Sequence, residues 1–155
     1  VAGVALGKTV DELAVGDRAS MTRIVNETDI HLYIGMTGDL NPVYVDEAYA
    51  ARTRFRGRIA PGALTAGLVI AVLSTKLPGP GTILERQALQ FTAPVRPGDA
   101  ITAFVEVVEV LASRGRARLH TVCKNQDGVV VLDGEVVVLP PPRVHAGAGG
   151  LEDHL

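Results

Sequence analysis

The chain has 155 residues, 47% of them hydrophobic and 21% charged, a balance that suits one globular domain. A chain of this length buries roughly 68–70% of the surface its unfolded form exposes, so it needs no disulfide or structural metal. The one cysteine, Cys123, has no internal partner, which points to a reducing compartment. A formal net charge of −2 gives no global field for nucleic acid or an anionic membrane, and no run approaches the ~18 apolar residues of a membrane span. A cytoplasmic protein, partnered by neither nucleic acid nor membrane, is therefore expected.

"VGDRASMTRIV", Val15 to Val25, alternates polar and apolar residues and is expected to form a first strand. Thr28 is expected to cap a helix over "DIHLYIGMTGD", with Asp29 placed favourably in its first turn; Ile30, Tyr33 and Ile34 share one face of it. Gly38 offers the exit. Asn41-Pro42 predicts a turn, because a residue before proline is pushed out of the helical region, and "DEAYAARTRF" reads as a second short helix.

From Ala63 to Leu73 the chain is apolar on nearly every face, between Pro61-Gly62 and Pro78-Gly79. A helix so composed needs cover all round, and it is too short to span a bilayer. The cover is expected from "TILERQALQFTAPV", "AITAFVEVVEVLA", "RARLHTVCKNQ" and "GVVVLDGEVVVLP", strand-like runs rich in β-branched residues and separated by "RPGD", "SRG" and "QDG" turns. The expected fold is α+β, an antiparallel sheet of about five strands wrapped around a central apolar helix. It forms a single domain over residues 1–140, followed by an extended or mobile Pro/Gly-rich tail over 141–155.

Chemistry concentrates in "TGDLNPVYVDEAYA", Thr37 to Ala50. Asp39 there has two readings: turn chemistry, since an Asp before x-Asn-Pro bonds the local backbone without catalysis, or an acid–base carboxylate. Tyr44, between Val43 and Val45, either packs its ring or takes part in that chemistry. "RTRFRGR" places Arg52, Arg54, Arg56 and Arg58 together, either as a solvated loop or as an anchor for phosphate oxygens, which guanidinium forks suit. His31 falls beside the apolar helix face and is expected in solvent. His120 is expected to be structural, and His145 and His154 lie in the tail. Neither zinc-ligand spacing nor a calcium loop is present, and no metal site is expected.

These residues resemble a known signature. "YIGMTGDLNPVYVDEAYA", with its Gly38-Asp39-x-Asn41-Pro42 core, resembles that of the MaoC-like, R-specific enoyl-CoA hydratase family. So do the central helix with its preceding glycine, Leu77 to Gly79 at its end, Phe91 to Val95, and Gly98-Asp99. The resemblance implies a hot-dog fold and a hydro-lyase that adds water to a 2-enoyl thioester or removes it from a 3-hydroxyacyl thioester. The carrier is coenzyme A or an acyl carrier protein, and no other cofactor is implied. It implies that Asp39 is the catalytic carboxylate, that the Gly62 N–H holds the thioester carbonyl, and that Asn41 holds the loop or orients the catalytic pair.

The acyl chain is then expected along the apolar helix face around Ala66, Leu68, Ile70 and Leu73, with Ala63 at its start, and the carrier phosphates near Arg54 and Arg56, where guanidinium forks suit them. A homodimer or a larger hot-dog assembly is expected from the resemblance. Two positions depart from the pattern: Tyr44 stands where the family carries its catalytic histidine, and Pro61 where relatives carry another histidine. A phenol has an ordinary pKa of about 10 and is a poor base at neutral pH, but it can donate. Two functions are therefore expected as alternatives: a hydratase or dehydratase with altered chemistry, or a non-catalytic acyl-thioester-binding or structural subunit.

Overall fold

The structure, a computed structural model, describes residues 3–143. One five-stranded antiparallel sheet organises it: β1 (Arg18–Ile24), β2 (Ile83–Phe91), β3 (Ala100–Leu111), β4 (Arg116–Lys124) and β5 (Val130–Leu139), in the order β1-β3-β4-β5-β2. The helices α1 (Glu27–Thr37), α2 (Pro42–Val45), α3 (Glu47–Ala51) and α4 (Gly62–Thr75) all fall between β1 and β2 in the chain. α4 carries the chain from one sheet edge to the other and packs on β3, with further contacts to β1, β2 and β4. This is the hot-dog fold.

Alternation decides which face each strand buries. In β4, Ala117, Leu119, Thr121 and Cys123 point inward and are all 0% exposed, while Arg118, His120 and Val122 face the other way and are half-buried. Ile101, Ala103, Val105 and Val107 of β3, with Leu132, Val136 and Val138 of β5, complete the inner layer against Val69, Val72 and Leu73 of α4. Each fully buried Leu or Val side chain here is worth about 1.5–3 kcal/mol. Cys123 lies in this layer, and burial pushes its thiol up to about 12, so it stays protonated and inert.

Gly134 marks a close approach between strands. A β-carbon there would stand 2.2 Å from the Ala88 carbonyl oxygen of β2, so only glycine lets the edge strand sit this close.

Several local expectations are corrected. α1 is capped by Asn26 rather than Thr28: the Asn26 side chain accepts from the Asp29 N–H at 3.0 Å, and the Asp29 carboxylate accepts from the Asn26 N–H at 2.9 Å. That reciprocal pair satisfies two otherwise orphaned donors, which a cap at Thr28 could not do. The Asn41-Pro42 turn is itself the start of a helix. Asn41 caps α2 by accepting from Val43 N–H at 3.2 Å, and proline occupies the first turn, where its missing N–H costs nothing.

α4 is not covered all round within one chain. Thr65, Val69, Val72 and Leu73 are buried, Ala63 and Gly67 are exposed, and the remaining apolar residues are half-covered, because the sheet closes over one side only. The beginning of the 141–155 tail is anchored: Pro141 is buried, and Arg143 pairs with Asp11. The rest of the tail, with His145 and His154, lies outside the described residues.

Candidate active site

The segment from Thr37 to Arg58 stands off the sheet and is held by side chain to main chain bonds. Gly38 ends α1 in the left-handed conformation, φ 75°, and its N–H donates to Ile34 O at 2.7 Å. This reversal swings Asp39 back beside the last turn of α1. The Asp39 carboxylate accepts from Tyr33 OH at 3.4 Å through one oxygen and from the Asn41 N–H at 3.3 Å through the other. Thr37 supports the same corner: its hydroxyl donates to Tyr33 O at 2.8 Å and accepts from the Asp39 N–H at 3.2 Å.

Tyr44, half-buried on α2, packs its ring against the core. Its phenol pKa is raised above 10.0, first by burial, then by the negative charge of Asp39, then by Tyr33. All three causes favour the neutral phenol, so at neutral pH Tyr44 is a donor and not a base. Asp39 thus has two phenols near it, one bonded to it and one within reach of its charge.

The far side of α2 is clamped by Arg58, which donates to Tyr44 O at 3.0 Å and to the Glu27 carboxylate at 2.6 Å. Arg96 staples the arginine-rich loop through the carbonyls of Phe55, Gly57 at 3.0 Å and Arg58 at 3.2 Å.

A second element of the site is the start of α4. Pro61 provides no side-chain cap, so the first-turn N–H groups of Gly62 and Ala63 have no intrahelical acceptor and carry the positive end of the helix dipole. They open onto a groove of about 570 Å³ that also involves Arg54, Thr65, Phe91 and Thr92. A β-carbon at position 62 would come 2.9 Å from the exposed Phe91 ring, so a side chain there would displace that ring.

Of the basic run, Arg54 lines this groove, stacked 4.8 Å over the Phe55 ring. Arg56, at φ 55°, lines the neighbouring concavity with Glu27, Glu47 and Arg58. Ala63 faces the groove, but Ala66 and Ile70 line neither it nor the second, apolar groove of about 320 Å³ between α1 and α4. That one holds Tyr33, Met36, Leu64 and Leu68. His31 is exposed, and His120 pairs with Asp133 at 2.9 Å on the sheet face turned away from α4.

Three contributors were missed by sequence reasoning. Tyr33 reads as a core residue of α1, Thr65 as one more position of an apolar helix, and Arg96 as part of a turn. Only Thr65 leaves a visible trace, as a lone hydroxyl three residues after the helix-start glycine.

The chain thus offers a carboxylate with two phenols near it and, on a separate groove lining, a helix N-terminus with free donors, both on a hot-dog scaffold. The MaoC like domain family matches residues 11–128, and the chain belongs to that family. It is 43% identical over 133 residues to the (R)-specific enoyl-CoA hydratase of Rhodospirillum rubrum, covering 86% of this chain and 92% of that one. To the 3-hydroxybutyryl-CoA dehydratase of Methylorubrum extorquens it is 45% identical over 136 residues, covering 88% and 86%.

Among solved structures it is similar to unliganded R-hydratase PhaJ1 from Pseudomonas aeruginosa. The TM-score is 0.82 at 41% identity, over 93% of this chain and 94% of that one. These likenesses make the chain a hydro-lyase. Among the described residues, no helix is long and apolar enough to cross a membrane.

Proposed function

We propose that the protein hydrates 2-enoyl thioesters, or dehydrates (R)-3-hydroxyacyl thioesters, with Tyr44 in the place the family gives to a catalytic histidine. The observation that carries this reading is the Asp39 carboxylate fixed at the exit of α1 by Tyr33 OH and the Asn41 N–H, with the Tyr44 phenol near enough to feel its charge. In hydration, Asp39 takes a proton from water as the oxygen bonds to the β-carbon. The displaced electron pair passes to the thioester oxygen, which the Gly62 N–H holds. The α-carbon takes a proton from the phenol side, and Asp39 returns its proton to Tyr44. Asn41 keeps this geometry by capping α2 and by donating its N–H to Asp39.

Arg54, at the groove mouth, and Arg56, on the same loop, suit the phosphates of coenzyme A or of an acyl carrier protein's prosthetic arm. Ala63 accommodates the thioester end, and the α4 face of Ala66 and Ile70, with Leu64 and Leu68 beside it, takes the acyl chain. The same reading includes a homodimer or larger assembly in the cytoplasm. It is supported by the outward sides of the edge strands β1 and β2 and by exposed Ile24, Leu32 and Met36.

The test is hydration of crotonyl-CoA and longer 2-enoyl-CoA thioesters. Asp39→Asn is expected to lower kcat/KM by about 10²–10⁴-fold, and Tyr44→His to add an ionisation near pH 6.5 to the rate profile. A wild-type protein that turns over none of these thioesters sinks the proposal.

A further inference from the structure

Thr65 sits one helical turn into α4 and is 1% exposed, yet its hydroxyl has no hydrogen-bond partner. A threonine inside a helix ordinarily returns its hydroxyl to a carbonyl three or four residues back. Thr37 does so to Tyr33 O at 2.8 Å, and Thr75, on the same helix as Thr65, to Ala71 O at 2.6 Å. Thr65 does not. Of the four buried polar side-chain atoms left unpaired among the described residues, on Thr65, Thr82, Gln87 and Thr121, only that of Thr65 belongs to a residue lining the groove at the start of α4.

Helix geometry says what this hydroxyl lies over. Residues three apart share a face, and helical side chains lean back towards the N-terminus, so a side chain covers the turn before its own α-carbon. For Thr65 that turn begins at Gly62, whose N–H and that of Ala63 have no intrahelical acceptor and open onto the same groove. A neutral O–H donor and two N–H donors are thus carried by residues that line one groove, and no protein acceptor answers them. The chemical species that satisfies all three is an oxygen bearing partial or developing negative charge.

We infer that the Thr65 hydroxyl is a catalytic donor to the thioester carbonyl oxygen, acting beside the Gly62 N–H and strengthening as that oxygen gains charge. The inference rests on the thioester reading of the groove. The hydroxyl hydrogen stays on Thr65 throughout: it stabilises the enolate oxygen without transferring a proton, so the proton balance of Asp39 and Tyr44 is unchanged.

The experiment compares wild type, Thr65→Val, which keeps the shape and loses the hydroxyl, and Thr65→Ser, which keeps the hydroxyl. Hydration of crotonyl-CoA by T65V should fall about 10²-fold in kcat, with T65S close to wild type. The unfolding midpoint of T65V should rise, because a methyl group replaces an unpaired buried hydroxyl; a merely structural threonine would give a fall. A second arm needs no turnover: the affinity for butyryl-CoA is compared with that for S-butyl-CoA, the thioether lacking the carbonyl. Wild type and T65S should prefer the thioester, and T65V should lose about fivefold of that preference.

T65V turnover within twofold of wild type, or a thioester preference equal in T65V and wild type or absent from both, overturns the inference. Lack of wild-type turnover with an intact, Thr65-dependent preference overturns the hydratase reading alone and supports the donor.

Discussion

The sheet and the segment from Thr37 to Arg58 are built by different physics. The sheet holds itself by regular ladders and by an inner layer with almost no exposed surface. The segment contains few buried residues, Val43 and Ala50 among them, and is held by Asn, Asp, Thr and Arg side chains bonded to nearby main-chain groups. Burial is non-directional and tolerates shifts, whereas hydrogen bonds fix distance and angle. The proposed acid–base pair, Asp39 and Tyr44, therefore sits on the part of the molecule where geometry is specified atom by atom, and stability resides in the other part.

The sharpest way to break this contrast is to damage the sheet and look for lost chemistry. Leu132→Ala should cost about 2–5 kcal/mol in denaturant unfolding, while the folded fraction keeps its kcat; a fall in kcat at full folding would refute the division. Damage to the segment should show the reverse. Arg96→Met removes donors to the Phe55, Gly57 and Arg58 carbonyls and should cost about 1–3 kcal/mol locally. Amide exchange within residues 54–58 should accelerate while that of β3 and β4 holds; equal acceleration in both would mean one cooperative unit.

The smallest effect concerns pH. The folded pKa of Tyr44 lies above its unfolded value of about 10, so the native state binds this proton more tightly. That contribution is fully present below pH 10 and is lost as the pH rises through the folded pKa. Chemical denaturation from pH 8 to 11 should therefore show a loss in wild type that Tyr44→Phe lacks; identical slopes would place the phenol in solvent.

The same contrast explains what was legible beforehand. Alternation in "RARLHTVCK" and "AFVEVVEV" fixes which residues face inward, and β4 and β3 follow it, because strand periodicity is a property of neighbouring residues alone. The Asn26–Asp29 capping box is equally local, yet the expectation placed the cap at Thr28. The Tyr33–Asp39 bond was not readable, since it depends on the left-handed exit at Gly38 folding the chain back across a helix end. Nor was the Arg96 staple, whose donor and acceptors lie 38 to 41 positions apart. Buriedness of α4 was overestimated for a related reason: composition reports how apolar a helix is, not how many sides its own chain covers.

Arg56 adds a different lesson. Among the described residues, every other positive φ belongs to a glycine, at seven positions, and Arg56 alone adopts one with a side chain, at a cost of about 1–3 kcal/mol. Glycine would satisfy the same bend at no such expense. The backbone thus explains the shape of the loop but not the identity of the residue, and among the described residues no hydrogen bond or ion pair of the Arg56 guanidinium accounts for it.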